Sequence, residues 1–292
     1  MKEKIIFLVN PNSGTKKKKK IPKLINSLID KSIFDYEIRH TLFKGEATQI
    51  VLEKLAEGYR YFVAVGGDGT INEIAKALIN SQGTLAIIPV GSGNGLARHL
   101  KISLKPSKAI KVINKLKIST IDFGTINDIP FFCTCGVGFD ALIGAKFDQS
   151  KKRGLISYIR IAISEFFQFS PEKFQLSLDQ GEEVQYSAFL VTIANASQYG
   201  NNAFIAPMAK VRDGLLDICI LAPFNLFRVP QIAWQLFSGK LYKNRYATYL
   251  KGSSLKITRA SEGLIHLDGE TYTMGNELRI SVIPKSLNVL VS

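Results

Sequence analysis

Between residues 61 and 73 the chain reads Tyr-Phe-Val-Ala-Val-Gly66-Gly67-Asp68-Gly69-Thr70-Ile-Asn72-Glu73. An apolar, β-branched run stops at glycine and a helical pattern starts at once, as when a buried parallel strand enters a phosphate-binding turn. Glycine permits positive φ and lets backbone N–H groups come close to an anion. Thr70, with Glu73 three residues on, predicts a capping box for a helix over 71–80, its positive dipole end toward the turn. Asp68 then lies among donors that favour anions. A carboxylate belongs there if a hard cation such as Mg²⁺ sits between it and a polyphosphate. An ordinary glycine turn is the plain alternative, because short glycine motifs recur by chance.

Around this turn, strand and helix patterns alternate from residue 1 to about 122. Strands are predicted at 5–9, 36–40, 62–65 and 85–90, with amphipathic stretches near 21–31, 46–57, 70–80 and 106–117. That alternation implies an α/β domain: a parallel sheet with helices on both faces, and ligands beyond the C-terminal strand ends. Three of those ends carry turn chemistry: Asn10-Pro11-Asn12-Ser13-Gly14, the glycines at 66–69, and Gly91-Ser92-Gly93-Asn94-Gly95. Thr41 closes the second strand, where its hydroxyl and the following amides could also face a nucleotide. The lysine run at 16–20 is either a solvated helix entry or a surface that meets phosphates.

After Asp122 the texture changes. Short β-rich segments at 131–136, 174–178, 187–194, 215–221, 255–258, 264–268 and 278–283 suggest an antiparallel sandwich, with Asn127-Asp128 as a turn. The domains expected are thus 1–122 and 123–282. Apolar helix-like stretches at 154–169 and 225–241 interrupt the second. Both have basic flanks, Lys151-Lys152-Arg153 for one and Arg228, Lys240 and Lys243 for the other. Such stretches are core helices or lie at a membrane interface.

Thirty-eight Lys and Arg against 24 Asp and Glu give a net charge of +14, which points to an anionic partner. No nucleic-acid recognition motif accompanies that charge. Cys133, Cys135 and Cys219 form no cluster with histidines, so buried, inert thiols in a reducing compartment are expected. No apolar run approaches the roughly 18 residues that a membrane-spanning helix requires. A cytoplasmic protein with peripheral membrane contact is the expectation.

An ordered set of motifs carries the reading further. Gly67-Gly-Asp-Gly-Thr-Ile-Asn-Glu with its neighbours, Pro89 to Ala97, Asn195 to Gly200, Ala206-Pro-Met-Ala followed by Asp213-Gly-Leu-Leu-Asp217, and Leu267-Asp268-Gly269-Glu270 follow one another. The chain resembles the bacterial diacylglycerol kinase and sphingosine kinase catalytic family of soluble lipid kinases over nearly its whole length. The resemblance implies an ATP-binding α/β domain facing a β-rich lipid-substrate domain, with residues 283–292 returning to the first. It implies a nucleotide site made by Asn10, Thr41, Gly67, Asp68, Gly69, Thr70, Asn72, Glu73 and Ser92, with Asp68 at Mg²⁺. It also implies a structural Mg²⁺ on Asp213 with the main-chain carbonyls of Lys210 and Leu215.

Phosphoryl transfer to an alcohol further requires an acceptor for the hydroxyl proton. The resemblance assigns that work to Asp268 and Glu270, with Asp268 as the expected base and Glu270 as partner or alternative base. In a regular strand the two would share one face, unless Gly269 breaks the geometry. The expected partner is a lipid presented by a membrane surface, without nucleic acid, and a homodimer is compatible with it. The lipid itself stays open. Diacylglycerol kinases carry a second acidic position where this chain has Gly91-Ser92-Gly93-Asn94-Gly95, which is closer to the long-chain-base and ceramide branch. The alternatives are an NAD kinase-like enzyme and a nucleotide-dependent membrane-binding regulator without turnover.

Overall fold

The structure, a computed structural model, describes residues 2–11, 13, 20–150 and 155–292. The chain divides into one unit of Met1–Ile121 with Lys285–Ser292 and a second of Asp122–Pro284.

In the first unit the expected alternation becomes β1 (Glu3–Val9), α1 (Ile21–Leu28), β2 (Phe34–His40), α2 (Glu46–Ala56), β3 (Tyr61–Gly66), α3 (Asp68–Leu78), β4 (Thr84–Pro89), α4 (Gly95–His99) and α5 (Pro106–Ile113). The strands run parallel in the order β2-β1-β3-β4. Every residue of β3 and β4 is buried, as parallel strands covered on both faces must be. α1 packs on α5 and α2 on α3. Prolines 22 and 106 stand in the first turns of α1 and α5, where a missing N–H costs nothing.

The expected capping box is not formed. α3 begins at Asp68 with Gly67 as its cap, so Thr70 lies inside the first turn and caps nothing. Thr70 turns inward instead, because a side chain on Gly66 would come within 2.3 Å of its hydroxyl and glycine leaves that space open. The lysines at 16–19 and the flank at 151–153 lie outside the described residues.

The second unit is built from β5 (Ile118–Ile126), β6 (Ile129–Phe131), β7 (Thr134–Gly138), α6 (Phe139–Gln149), α7 (Leu155–Phe166), β8 (Glu172–Leu178), β9 (Glu183–Ala188), β10 (Leu190–Ala194), β11 (Leu216–Leu221), α8 (Val229–Phe237), β12 (Ala247–Gly252), β13 (Ser254–Thr258), β14 (Gly263–Leu267), β15 (Glu270–Met274) and β16 (Glu277–Leu290). β5 enters from the first unit, and β16 ends there with Asn288 and Val289 alongside β4. One sheet orders β16-β13-β8-β9, and the other β12-β11-β10-β7-β14-β15 with antiparallel pairing. Val137, Ile193, Ile218 and Ile265 of one sheet share a core with Phe174, Leu176, Ile257 and Leu278 of the other. This is an antiparallel β-sandwich, as the spacing of short strands predicts.

The opposite face of the six-stranded sheet carries a second core. Phe139, Phe189, Cys219 and Leu221 pack there with Ile232 of α8, and Ile161 and Phe166 of α7 lean on them. Both apolar helices therefore bury one face. Asn127 and Asp128 turn the β5–β6 hairpin at φ 44° and 66°, a left-handed pair that Asn and Asp tolerate better than bulkier residues.

The segments expected as single strands at 131–136 and 187–194 each break in two. In the first, backbone groups of Phe132 and Cys133 are taken by Asp268 and Asn195. In the second, Phe189 leaves the ladder to bond Leu221 and Phe139.

All three cysteines are free and buried. Burial pushes the Cys219 thiol up to about 12. Burial also raises Cys135 well above its ordinary range, with the charges of Asp268 and Asp140 adding to it. A thiolate-seeking disulfide reagent at pH 8 is expected to label none of the three in the native protein and all three in urea. Rapid labelling of the folded chain would contradict this packing.

Candidate active site

At the C-terminal edge of the parallel sheet the loops after β1, β3 and β4 meet. Asn10 follows β1, and its Nδ2 donates to Thr70 Oγ1 at 3.1 Å. Its backbone N–H donates to the Val65 carbonyl at 3.1 Å. Thr41, after β2, is buried and donates its N–H to the Val9 carbonyl. The loops after β3 and β4 touch backbone to backbone: a Cβ on Gly91 would lie 2.5 Å from the Gly67 Cα. Only glycine at 91 allows that approach.

Asp68 locks the contact. Its two oxygens accept the N–H groups of Asn94 at 2.8 Å and Gly95 at 2.7 Å. Asn94, left-handed at φ 53°, returns its side chain to the N–H and the carbonyl of Gly91. Arg98 Nε donates to the Gly93 carbonyl at 2.9 Å. The first amides of α3 have no acceptor within the helix, which makes this end a favourable place for phosphate oxygens.

In the second unit, Asp268-Gly269 forms the two-residue turn between β14 and β15, with φ of 49° and 87°. Glu270 is the first residue of β15, paired with Leu267, so the two carboxylates do not share a strand face. Asp268 is clasped by main chain: Phe132 and Cys133 N–H each donate at 2.7 Å and Thr134 N–H at 3.0 Å. Asn195, fully buried, supports this cradle from behind. Its Nδ2 donates to the Phe132 and Asp122 carbonyls, both at 2.9 Å. Its own N–H and that of Ala196 donate to the Cys133 carbonyl.

Glu270 accepts the Tyr272 hydroxyl at 2.9 Å. Burial, then that hydrogen bond, push Tyr272 up to about 12, so its hydroxyl stays a donor near neutral pH.

Beside this turn lies a polar cluster that motif reading did not single out. Asp140 Oδ2 accepts from Thr192 Oγ1 at 2.6 Å and from the Tyr199 hydroxyl at 2.9 Å. His266 Nε2 is 3.0 Å from the same oxygen. A Cβ on Gly136 would come within 2.9 Å of the Asp140 carboxylate, so that glycine makes room for the cluster. The sequence signal was present. Gly136-Val-Gly138-Phe-Asp140 is another strand running through glycine into a helix.

Asp213 stands in the turn before β11. Its Oδ2 is 2.9 Å from Lys251 Nζ, which is also 3.4 Å from Asp217 Oδ2. That Asp217 oxygen is buried and makes no hydrogen bond, so the ammonium acts on it through charge. Burial raises the Asp217 pKa, and Lys251 holds it back. Burial alone would lower the Lys251 pKa, but the hydrogen bond to Asp213 and the Asp217 charge outweigh it, and the net shift is upward.

These residues fit an added Mg²⁺ poorly. The carboxylate that would bind it already has a cation, Lys251, at 2.9 Å. Asp68 fits better. It is an acidic group among backbone donors, the hard oxygen suited to a Mg²⁺ carried by a triphosphate.

Of the expected nucleotide residues, Asn10, Gly67, Asp68 and Thr70 are joined by the contacts above. Gly69 and Ser92 are exposed beside them, and a Cβ on Gly69 would meet nothing within 4 Å. Asn72 and Glu73 lie further along α3 and are half-buried, with the Glu73 carbonyl accepting Thr48 Oγ1. Lys210 and Leu215 flank the Asp213 turn, where Leu215 N–H donates to Asp213 Oδ1 at 3.3 Å.

Residues 4–126 match the profile of the diacylglycerol kinase catalytic domain, and residues 133–291 that of the YegS C-terminal NAD kinase beta sandwich-like domain. A "Probable lipid kinase YegS-like" protein of Pseudomonas aeruginosa is 33% identical over 258 residues, covering 86% of this chain and 83% of its own. A protein of the same name from Yersinia enterocolitica is 30% identical over 86% of this chain and 85% of its own. An uncharacterized Synechocystis protein is 32% identical, and there the match spans 55% of the relative's length.

Among solved structures, a Bacillus anthracis diacylglycerol kinase superposes with a TM-score of 0.75 at 22% identity, covering 99% of this chain and 97% of that one. Yeast NADH kinase superposes more distantly, with a TM-score of 0.53 at 10% identity over 100% of this chain and 84% of that one. With both family profiles matched in order and 30% to 33% of the residues shared over most of two relatives, the chain belongs to the YegS-like lipid kinases with a diacylglycerol kinase catalytic domain.

Proposed function

We propose that the chain transfers the γ-phosphate of ATP to a hydroxyl of a diacylglycerol-like or a sphingoid or ceramide-type lipid presented by a membrane surface. The observation that carries this reading is the Asp68 lock, which holds two glycine loops together beside the amide end of α3. Such an arrangement suits a polyphosphate. Phosphoryl transfer asks mainly for positioning and charge neutralisation. Asn10, Thr41, the α3 amides and Ser92 would hold and orient the nucleotide. Asp68 would hold the Mg²⁺ that comes with the triphosphate and supplies neutralising charge.

The proton of the attacking alcohol goes to Glu270 in this reading. Three amide donors stabilise the ionised form of Asp268 and weaken it as a base. Glu270 accepts the Tyr272 hydroxyl and opens β15 directly after the turn. Asp268 then acts as the anchor that fixes the turn from which Glu270 projects. This exchanges the roles expected from sequence for the two carboxylates.

With Mg-ATP and mixed vesicles bearing diacylglycerol and ceramide, a phosphorylated lipid is the expected product. Phosphorylation of NAD, with no lipid product, would replace this reading. Glu270→Gln should lower kcat by roughly 10²–10⁴-fold with the melting temperature unchanged. Asp268→Asn should instead lower the melting temperature by roughly 2–6 °C, because an amide cannot satisfy three N–H donors. An Asp268→Asn protein of native stability with no turnover would return the base role to Asp268.

Removing Mg²⁺ with EDTA is expected to abolish ATP turnover without changing the melting temperature, since Lys251 already neutralises the Asp213 turn. Lys251→Met should destabilise the fold at pH 7 by about 1–3 kcal/mol, through the buried Asp217 left without its cation. A group whose folded pKa is raised contributes stability that is lost as pH rises. The deficit of Lys251→Met should therefore shrink as pH falls and Asp217 takes up a proton. Urea midpoints at pH 4 and pH 7 measure both.

A further inference from the structure

The segment 224–243 exposes several large aromatic residues. Phe227 is 90% exposed, Trp234 59% and Phe237 37%. With Pro230 they fall at positions 227, 230, 234 and 237, a spacing of three and four that places them on one face of α8 and its preceding 3-10 turn, Leu226–Arg228. The helix is not loose. Its other face buries Ile232 and Gln235, Gln235 accepts Asn244 Nδ2 at 2.5 Å, and the Leu236 carbonyl accepts Phe204 N–H at 2.9 Å. The apolar face is therefore held outward by a fixed helix.

The segment's own charge is of one sign. From Ile218 to Ser261 the chain has no Asp or Glu, while Arg228, Lys240, Lys243 and Arg245 lie in or just after the segment. Lys240 Nζ lies 5.2 Å over the Trp234 ring, and Arg245 lies 4.9 Å over the Tyr246 ring. These cations rest on aromatic rings. Ile163 of α7 and Phe167, just past its end, face outward as well, at 53% and 68% exposure. Phe166 beside them packs on Phe224 at 5.5 Å, which brings that second apolar edge to the same segment.

We propose that the Phe227, Pro230, Trp234 and Phe237 face docks on an anionic lipid bilayer, its aromatic side chains entering the interface while Arg228, Lys240 and Lys243 meet the head groups. This rests on the lipid-kinase reading above for its purpose, though not for its evidence. Trp and Tyr favour the membrane–water interface, where one end of the ring is apolar and the other wet. Lys and Arg lay their apolar stems on such a surface while their charges reach anionic phosphates. A second copy of this chain fits less well, because a twofold contact would set the same uncompensated cations against each other.

Trp234 is the single tryptophan of the chain, so its fluorescence reports on this face directly. The full-length protein, without ATP, is titrated with vesicles of equimolar phosphatidylcholine and phosphatidylglycerol and with pure phosphatidylcholine vesicles. A blue shift with the anionic vesicles, absent with the neutral ones and weakened by salt, is expected. Phe227→Asp should weaken partition about tenfold, the scale of one lost aromatic burial, and keep the reporter. Arg228→Glu with Lys240→Glu should abolish the preference for anionic vesicles. Both variants should keep wild-type turnover on a short-chain, detergent-dispersed lipid.

The proposal is overturned if anionic vesicles leave Trp234 emission unchanged, or if Phe227→Asp binds as tightly as wild type. It is also overturned if the blue shift appears with protein concentration alone, which would mean self-association. Loss of turnover on the dispersed lipid in Phe227→Asp would assign the face to substrate binding instead. Vesicle binding without kinase activity would sink the functional reading and leave the docking face standing.

Discussion

The contact between the Asp68 carboxylate and the amides of Asn94 and Gly95 is the interaction on which the loops at the C-terminal edge of the parallel sheet depend. α4 has five residues, too few to hold itself by its own hydrogen bonds. A carboxylate at its start satisfies amides that would otherwise lack acceptors and adds favourable charge at the helix N-terminus. The near-collision of Gly67 with Gly91 then becomes tolerable, because the two loops are tied side to side as well as pressed together.

The same device recurs. Asp268 clasps three successive amides, Asp122 accepts the Gly214 amide at 2.8 Å, and Asp179 gathers the amides and hydroxyls of Ser253 and Ser254. The Ser253 hydroxyl, then the Ser254 amide, hold Asp179 below the usual carboxylate range. Acidic residues thus serve as backbone staples in turns.

Much of this was legible in sequence where periodicity and turn chemistry agree. The four parallel strands and the short strands of the sandwich follow from apolar runs that end at Gly, Asn and Asp. Where a side chain from afar takes a backbone group, local pattern fails. The strand expected over 131–136 breaks because Asp268, more than 130 residues away, takes its amides. The Thr70–Glu73 cap misled because Asn10 supplies a partner that no local motif encodes. Asp140 and His266 escaped notice because 126 residues separate them, and no spacing rule joins such a pair.

The cradle around Asp268 is made entirely of main-chain donors contributed by Phe132, Cys133 and Thr134. Backbone amides are indifferent to the side chains they belong to. These three positions can drift among apolar and small residues without loosening their grip, provided the path of the chain is kept. The carboxylate has no such latitude, and neither has Asn195, whose amide braces that path. Divergence between relatives should then collect in the cradle's side chains and avoid the two residues that need it.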